Sequence, residues 1–171
     1  RTHQFSRCNQ FASLTLADDI VLAALHAALT RMADHHDALS LQFLDSNEAQ
    51  YSERTRFSLQ VFKDTIDEAL VNTDVSPQTG INMSVGVSLA NNQIYIAIHH
   101  LVVDALSWPI LLEDLLLAYQ ANQANQQQHL HNETSTILPK VNYPAKTHHQ
   151  SDWHHELQSL TISQMEMDYW H

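Results

Sequence analysis

The sequence predicts an α/β chain, and three stretches carry that reading. An apolar, β-branched run, Ile94-Tyr95-Ile96-Ala97-Ile98, stops at His99 and His100, and a leucine-rich helical pattern begins after a short turn. Residues about 18–34 place Leu22, Leu25, Leu29 and Met32 at helical spacing before the chain turns strand-like as far as Phe43. Asn82 to Leu89 and Gln93 to Ile98, joined by Ala90-Asn91-Asn92, read as a hairpin leading into the histidines.

In order, Asn9 to Leu16 sets Phe11, Ser13 and Thr15 against Gln10, Ala12, Leu14 and Leu16, the alternation of a strand. Asp18 or Asp19 starts the first helix. Asp34 to Phe43 passes from it into a second strand, Asp45-Ser46-Asn47 is a polar turn, and Tyr51 to Phe62 forms a third strand. Thr65 to Asn72 suits a short helix, and Ser76 to Gly80 is a loop. Ile110, Leu111, Leu112, Leu115, Leu116 and Tyr119 give the next helix, residues 107–122, a broad apolar face. Ser107 suits its N-cap, and Pro109 then falls in the first turn, where a missing N–H is harmless. Asn122 to Thr136, polar and Gln-rich, reads as a fraying end passing into a loop. Ser151 to Gln158 and Ser163 to Trp170 suit two amphipathic helices, with Trp153, Leu157, Met165, Tyr169 and Trp170 as apolar anchors.

Length and composition narrow the function classes. At 171 residues and 44% hydrophobic, the chain suits one domain or one lobe of a larger one. A net charge of −11 argues against nucleic acid or an anionic membrane as partner. No apolar run approaches the ~20 residues that span a bilayer, no signal peptide is expected, and Cys8 stands alone, so a reducing cytoplasm is expected. With only Gly80 and Gly86 there is no phosphate-cradling glycine loop. The 13 histidines include four adjacent pairs, but His-Glu-x-x-His is absent. The pairs read as surface histidines, and no metal site is expected.

Taken alone, a histidine at a strand end is commonly structural. The wider pattern points elsewhere. His99-His100-x-x-x-Asp104, then x-x-Ser107-Trp108 and Ile110-Leu-Leu-Glu-Asp-Leu115, resembles the core motif of the condensation superfamily of nonribosomal peptide synthetases. The order Asp-x-x-Ser-Trp is similar to the epimerization branch; condensation domains more often put Trp and Ser directly after an Asp-Gly pair. His36-Asp37-Ala38-Leu39-Ser40-Leu41-Gln42-Phe43 resembles a second family element, with Ser40 and Gln42 where arginines are usual. The ending Tyr169-Trp170 is similar to the pair that closes the family's first lobe.

The resemblance runs from about residue 9 to 171. It implies a chloramphenicol-acetyltransferase-like lobe, a mixed β-sheet with packed helices, forming the N-terminal lobe of a two-lobed domain whose C-terminal lobe is absent. It implies inversion, L to D, at Cα of an aminoacyl or peptidyl thioester. The substrate rides on the 4′-phosphopantetheine of a partner carrier domain, and no cofactor is bound directly. His100 is the implied acid/base, with an opposing carboxylate on the other lobe. His99 and Asp104 orient the loop, while Ser107, Trp108 and Ala105 border the substrate, Trp108 mainly by packing. Ala105 replaces a usual glycine, so its methyl narrows the approach. Without the arginines, Asp104 is expected to lack a cationic partner unless Arg31, Arg54 or Arg56 compensates, and a buried unpaired carboxylate would have a raised pKa. Condensation-type peptide-bond formation and a non-catalytic scaffolding lobe remain alternatives. The face meant for the missing lobe is expected to be partly apolar, favouring self-association.

Overall fold

The computed structural model describes residues 8–44, 48–53, 56–129, 141–145 and 150–159. In chain order these form β1 (Asn9–Thr15), α1 (Leu22–His35), β2 (Leu41–Phe43), β3 (Ala49–Tyr51) and β4 (Arg56–Phe62). They continue with α2 (Glu68–Thr73), β5 (Ile81–Ser88), β6 (Gln93–His99), α3 (Ser107–His129) and α4 (Gln150–Ser159). The main sheet has the order β1-β6-β5-β4; β4 runs parallel to β5 and the other pairs are antiparallel, so the sheet is mixed. β2 and β3 form a separate antiparallel pair.

The period-2 pattern of β6 decides what covers each face. Ile94, Ile96 and Ile98 join Val85 and Val87 of β5 in burying Leu25, Leu29 and Met32 of α1 and Leu111, Leu115 and Tyr119 of α3. Each large aliphatic side chain buried there contributes about 1.5–3 kcal/mol. Tyr95 and Ala97 face the other way and pack with Val71 of α2, flanked by Phe62 and Ile66. Gly86 lies under that second layer: a Cβ there would sit 2.7 Å from Val71 Cγ2 and 2.8 Å from Ile66 Cγ2. Gly80, at φ +78°, makes the left-handed turn before β5.

Several sequence expectations shift. The first helix starts at Leu22 rather than at Asp18 or Asp19; Val21 is its N-cap, and the Val21 N–H donates to the Tyr119 hydroxyl of α3 instead of to an aspartate. The single strand expected over Tyr51–Phe62 is two strands in different sheets, because β3 ends at Tyr51 and pairs only with β2. The second helix starts later, at Glu68, where the Asp67 carboxylate caps the Leu70 N–H. The third helix continues to His129, since glutamine is a good helix former even without an apolar stripe. Trp153, expected as an anchor in α4, is 53% exposed. The turn at 45–47, Arg54, His148–His149 and the helix and Tyr-Trp ending expected over 163–171 lie outside the described residues. No helix among the described residues is long and apolar enough to cross a membrane.

Candidate active site

The β6-to-α3 connection is built so that two adjacent histidines do different things. Because side chains alternate along a strand, His99 turns toward the Tyr95 and Ala97 face and is buried, at 4% exposure. Its Nδ1 accepts the Leu101 N–H at 3.2 Å, which leaves the proton on Nε2, a buried atom without a partner among the described residues. Burial, and then the neighbouring His100, pull its pKa below the ordinary imidazole value. His99 is a neutral group buried under the turn.

His100 is exposed. Its backbone N–H continues the sheet by donating to the Cys8 carbonyl at 2.7 Å. Its Nδ1 lies 2.8 Å from the Val103 carbonyl oxygen. A carbonyl only accepts, so Nδ1 carries the proton and Nε2 holds the basic lone pair.

Asp104 and Ser107 close the turn as a reciprocal cap. Asp104 Oδ1 accepts the Ser107 N–H and hydroxyl, and the Asp104 N–H approaches Ser107 Oγ at 3.4 Å. The side chain that caps the helix is therefore Asp104, and Ser107, expected as N-cap, is the first helical residue. Pro109 falls in the first turn, as its missing N–H requires. The expectation of a buried, unpaired Asp104 with a raised pKa is overturned. The carboxylate is exposed, and the Ser107 hydroxyl and backbone N–H hold its pKa below the usual value. It needs no arginine: Arg56 lies by the Thr79 carbonyl instead, at 3.5 Å. At the two positions where arginine is usual, Ser40 Oγ donates to the Asp37 carbonyl and Gln42 to the Gln78 carbonyl.

An open groove of about 380 Å³ brings together His100, Asp104 and Ser107, with Ala38, Val103 and Gln150 among its other walls. A smaller cavity of about 140 Å³ shares Ala38, Val102 and Ser107 with it and reaches His36. Gln150, the first residue of α4, is tied in by its N–H to Asp37 Oδ2 at 2.9 Å. His99, Ala105 and Trp108 do not line the groove. Ala105 is exposed on the turn, and Trp108 packs against the main core.

The sequence reading passed over Gln10, Ala38 and Gln150. Gln10 carried a faint signal as the polar member of the inward set of β1, beside Ala12, Leu14 and Leu16. Ala38 lay within the second family element without being singled out, and Gln150 carried no signal. The histidine pairs are not simply surface residues either: His35 and His36 are half-buried. Their ring nitrogens and an Asp114 carboxylate oxygen lie within 4.8 Å of one another, a donor set of the kind that takes zinc. His36 Nε2 and Asp114 Oδ2 are only 2.8 Å apart, the length of a hydrogen bond between the two side chains.

The family model of the condensation domain matches residues 2–158. The chain belongs to the condensation-domain family. Gramicidin S synthase 1 of Brevibacillus brevis is 31% identical over 161 residues, covering 82% of this chain and 14% of the relative. Tyrocidine synthase 2 of Brevibacillus parabrevis is 28% identical over 95% of this chain and 5% of its own length. The chain thus spans a small fraction of the curated relatives it matches. Among solved structures, the epimerization domain from the third module of tyrocidine synthetase B superposes with a TM-score of 0.67 at 26% identity, over 90% of this chain and 36% of that one. The starter condensation domain of rhizomide synthetase superposes at 0.58 with 20% identity, over 70% of this chain and 33% of that one, a likeness of fold. The condensation family's fold is the one described above, a mixed sheet with packed helices of the chloramphenicol-acetyltransferase-like class.

Proposed function

We propose that this chain is the N-terminal half of an epimerization domain of a nonribosomal peptide synthetase, with His100 as acid/base. The observation that carries the reading is the His100 imidazole, exposed on the groove with Nδ1 committed to the Val103 carbonyl and Nε2 left basic. The Asp104-x-x-Ser107-Trp108 order and the 26% identity to an epimerization domain favour that branch.

The substrate in this reading is an aminoacyl or peptidyl thioester on the phosphopantetheine of a carrier domain. Nε2 takes the Cα proton, and the charge moves onto the thioester oxygen as an enolate. A proton returned to the opposite face inverts the centre. A return group on the opposite face is the role assigned to a carboxylate of the C-terminal half. The substrate's arm lies along the groove, where Asp104 and Ser107 shape the wall and Trp108 supports α3. Leu106, Ile110 and Leu101, at 82%, 57% and 47% exposure beside the site, form the apolar surface against which the second half packs.

Condensation is the second reading, since the same fold and the His-His-x-x-x-Asp motif serve it too; there His100 assists attack of an amine on the thioester. The test joins the chain to the C-terminal half of a related epimerization domain and presents an aminoacyl-loaded carrier in deuterated water. Deuterium at Cα is expected. Peptide formation without exchange favours condensation, and the absence of both exchange and peptide identifies a scaffolding lobe.

A further inference from the structure

The polar side chains around His100 form a chain with one direction. Trp108 Nε1–H donates to Gln10 Oε1 at 2.8 Å. An indole nitrogen only donates, so this contact fixes which end of the Gln10 amide faces which way and turns the NH₂ group toward His100. That nitrogen lies 3.1 Å from Nε2 and 3.5 Å from Nδ1 of the ring. Nearly equal distances rule out an approach along the Nε2 lone pair, which lies in the ring plane and points away from Nδ1. The amide nitrogen is therefore over the face of the imidazole, an N–H···π contact.

We propose that Gln10 is a positioning residue for His100: its amide, oriented by Trp108, clamps the imidazole face while the Val103 carbonyl holds Nδ1–H. The two contacts act on different degrees of freedom. The carbonyl selects the tautomer, and the amide restrains rotation of the ring. Together they leave the in-plane Nε2 lone pair uncovered by Gln10, where a direct hydrogen bond would have occupied it. A side chain on the first strand and an indole on the third helix thus determine which way the base points. The catalytic meaning of the clamp rests on the acid/base role proposed above, but its geometry does not.

The test reads the ring directly in this chain. Long-range ¹H–¹⁵N correlation spectra are recorded at about pH 8.5, two units above the ordinary imidazole value, with His100→Gln assigning the signals. The wild-type chain should give one set of ring signals in the Nδ1–H form. Gln10→Met, close in length but without the amide, should broaden or split the His100 ring signals, and Trp108→Phe should do the same because the amide is then free to turn. If Gln10→Met does not fold, Gln10→Glu keeps the acceptor for Trp108, removes the N–H over the ring, and should have the same effect. An unchanged His100 ring spectrum in either the Gln10 or the Trp108 variant overturns the proposal. In the joined domain, each variant should lower kcat for exchange about tenfold with KM unchanged, an expectation scaled from the effect of misplacing a catalytic group. Altered ring spectra without any exchange, even in wild type, would remove the epimerization reading and leave the clamp standing.

Discussion

Asp104 Oδ1 accepts both the backbone N–H and the hydroxyl of Ser107, at 2.9 and 2.6 Å. One carboxylate oxygen thereby closes the turn after the histidines and starts α3. Because these bonds favour the charged form, the stability they confer is complete above the ordinary aspartate value of 3.8 and is lost as pH falls through the lower folded value.

Asp104→Asn retains an acceptor for the Ser107 N–H, whereas Asp104→Ala retains none. Melting curves at neutral pH should rank wild type above Asn and Asn above Ala, with the Ala variant lower by a few degrees. Equal melting temperatures for all three would show that the cap contributes nothing.

His100→Ala should behave differently. The exposed ring contributes little packing, so the stability loss should be confined to its bond to the Val103 carbonyl, about 0.5–1.5 kcal/mol, while exchange in the joined domain should fall by about 10² or more. A variant that melts early yet exchanges normally would make His100 structural.

His99 should give the fold a pH dependence. Its folded pKa is depressed, so the unfolded chain takes up a proton where the folded chain does not. The associated stability is whole above about pH 6.5 and declines as pH falls toward the folded value. Urea midpoints of wild type and His99→Gln, compared at about pH 7.5 and 5.5, should show the larger acid loss in wild type. Parallel losses would assign the dependence to other histidines.

Gly86→Ala should destabilise the fold by about 1–3 kcal/mol, since the new methyl meets Val71 and Ile66 inside van der Waals distance. Adding Val71→Ala should cost less in the Gly86→Ala background than in wild type, because it empties the contested space. Strict additivity in denaturant titrations would place the strain elsewhere.

What was legible in the sequence was what periodicity records. β5, β6, α1 and the start of α3 follow from alternating or helical apolar patterns, and the motif marked the strand end beside the groove that carries the candidate site. The β3–β4 break was hidden because nothing local distinguishes a strand that changes sheets from one that continues. The glutamines after Asn122 have no apolar stripe to report a helix. Asp104 and Ser107 are both good capping residues, so only geometry shows which accepts. The exposure of Asp104 and the contact of Gln10 with His100 depend on pairings between distant segments, and no local pattern encodes them.

The pairing of Asn9 with His99 joins the first described strand to the sixth, and Gln10 meets His100 across 90 residues of sequence. Closing so wide a loop is entropically opposed until the intervening elements have shortened it. β5 and β6 bring the histidines to their turn through pairings that do not involve β1, whereas the contact of Gln10 with the imidazole exists only once that edge strand is docked. By the clamp proposed above, ring order at His100 reports completed topology, and detachment of β1 would free the imidazole while β6, β5 and β4 stayed paired.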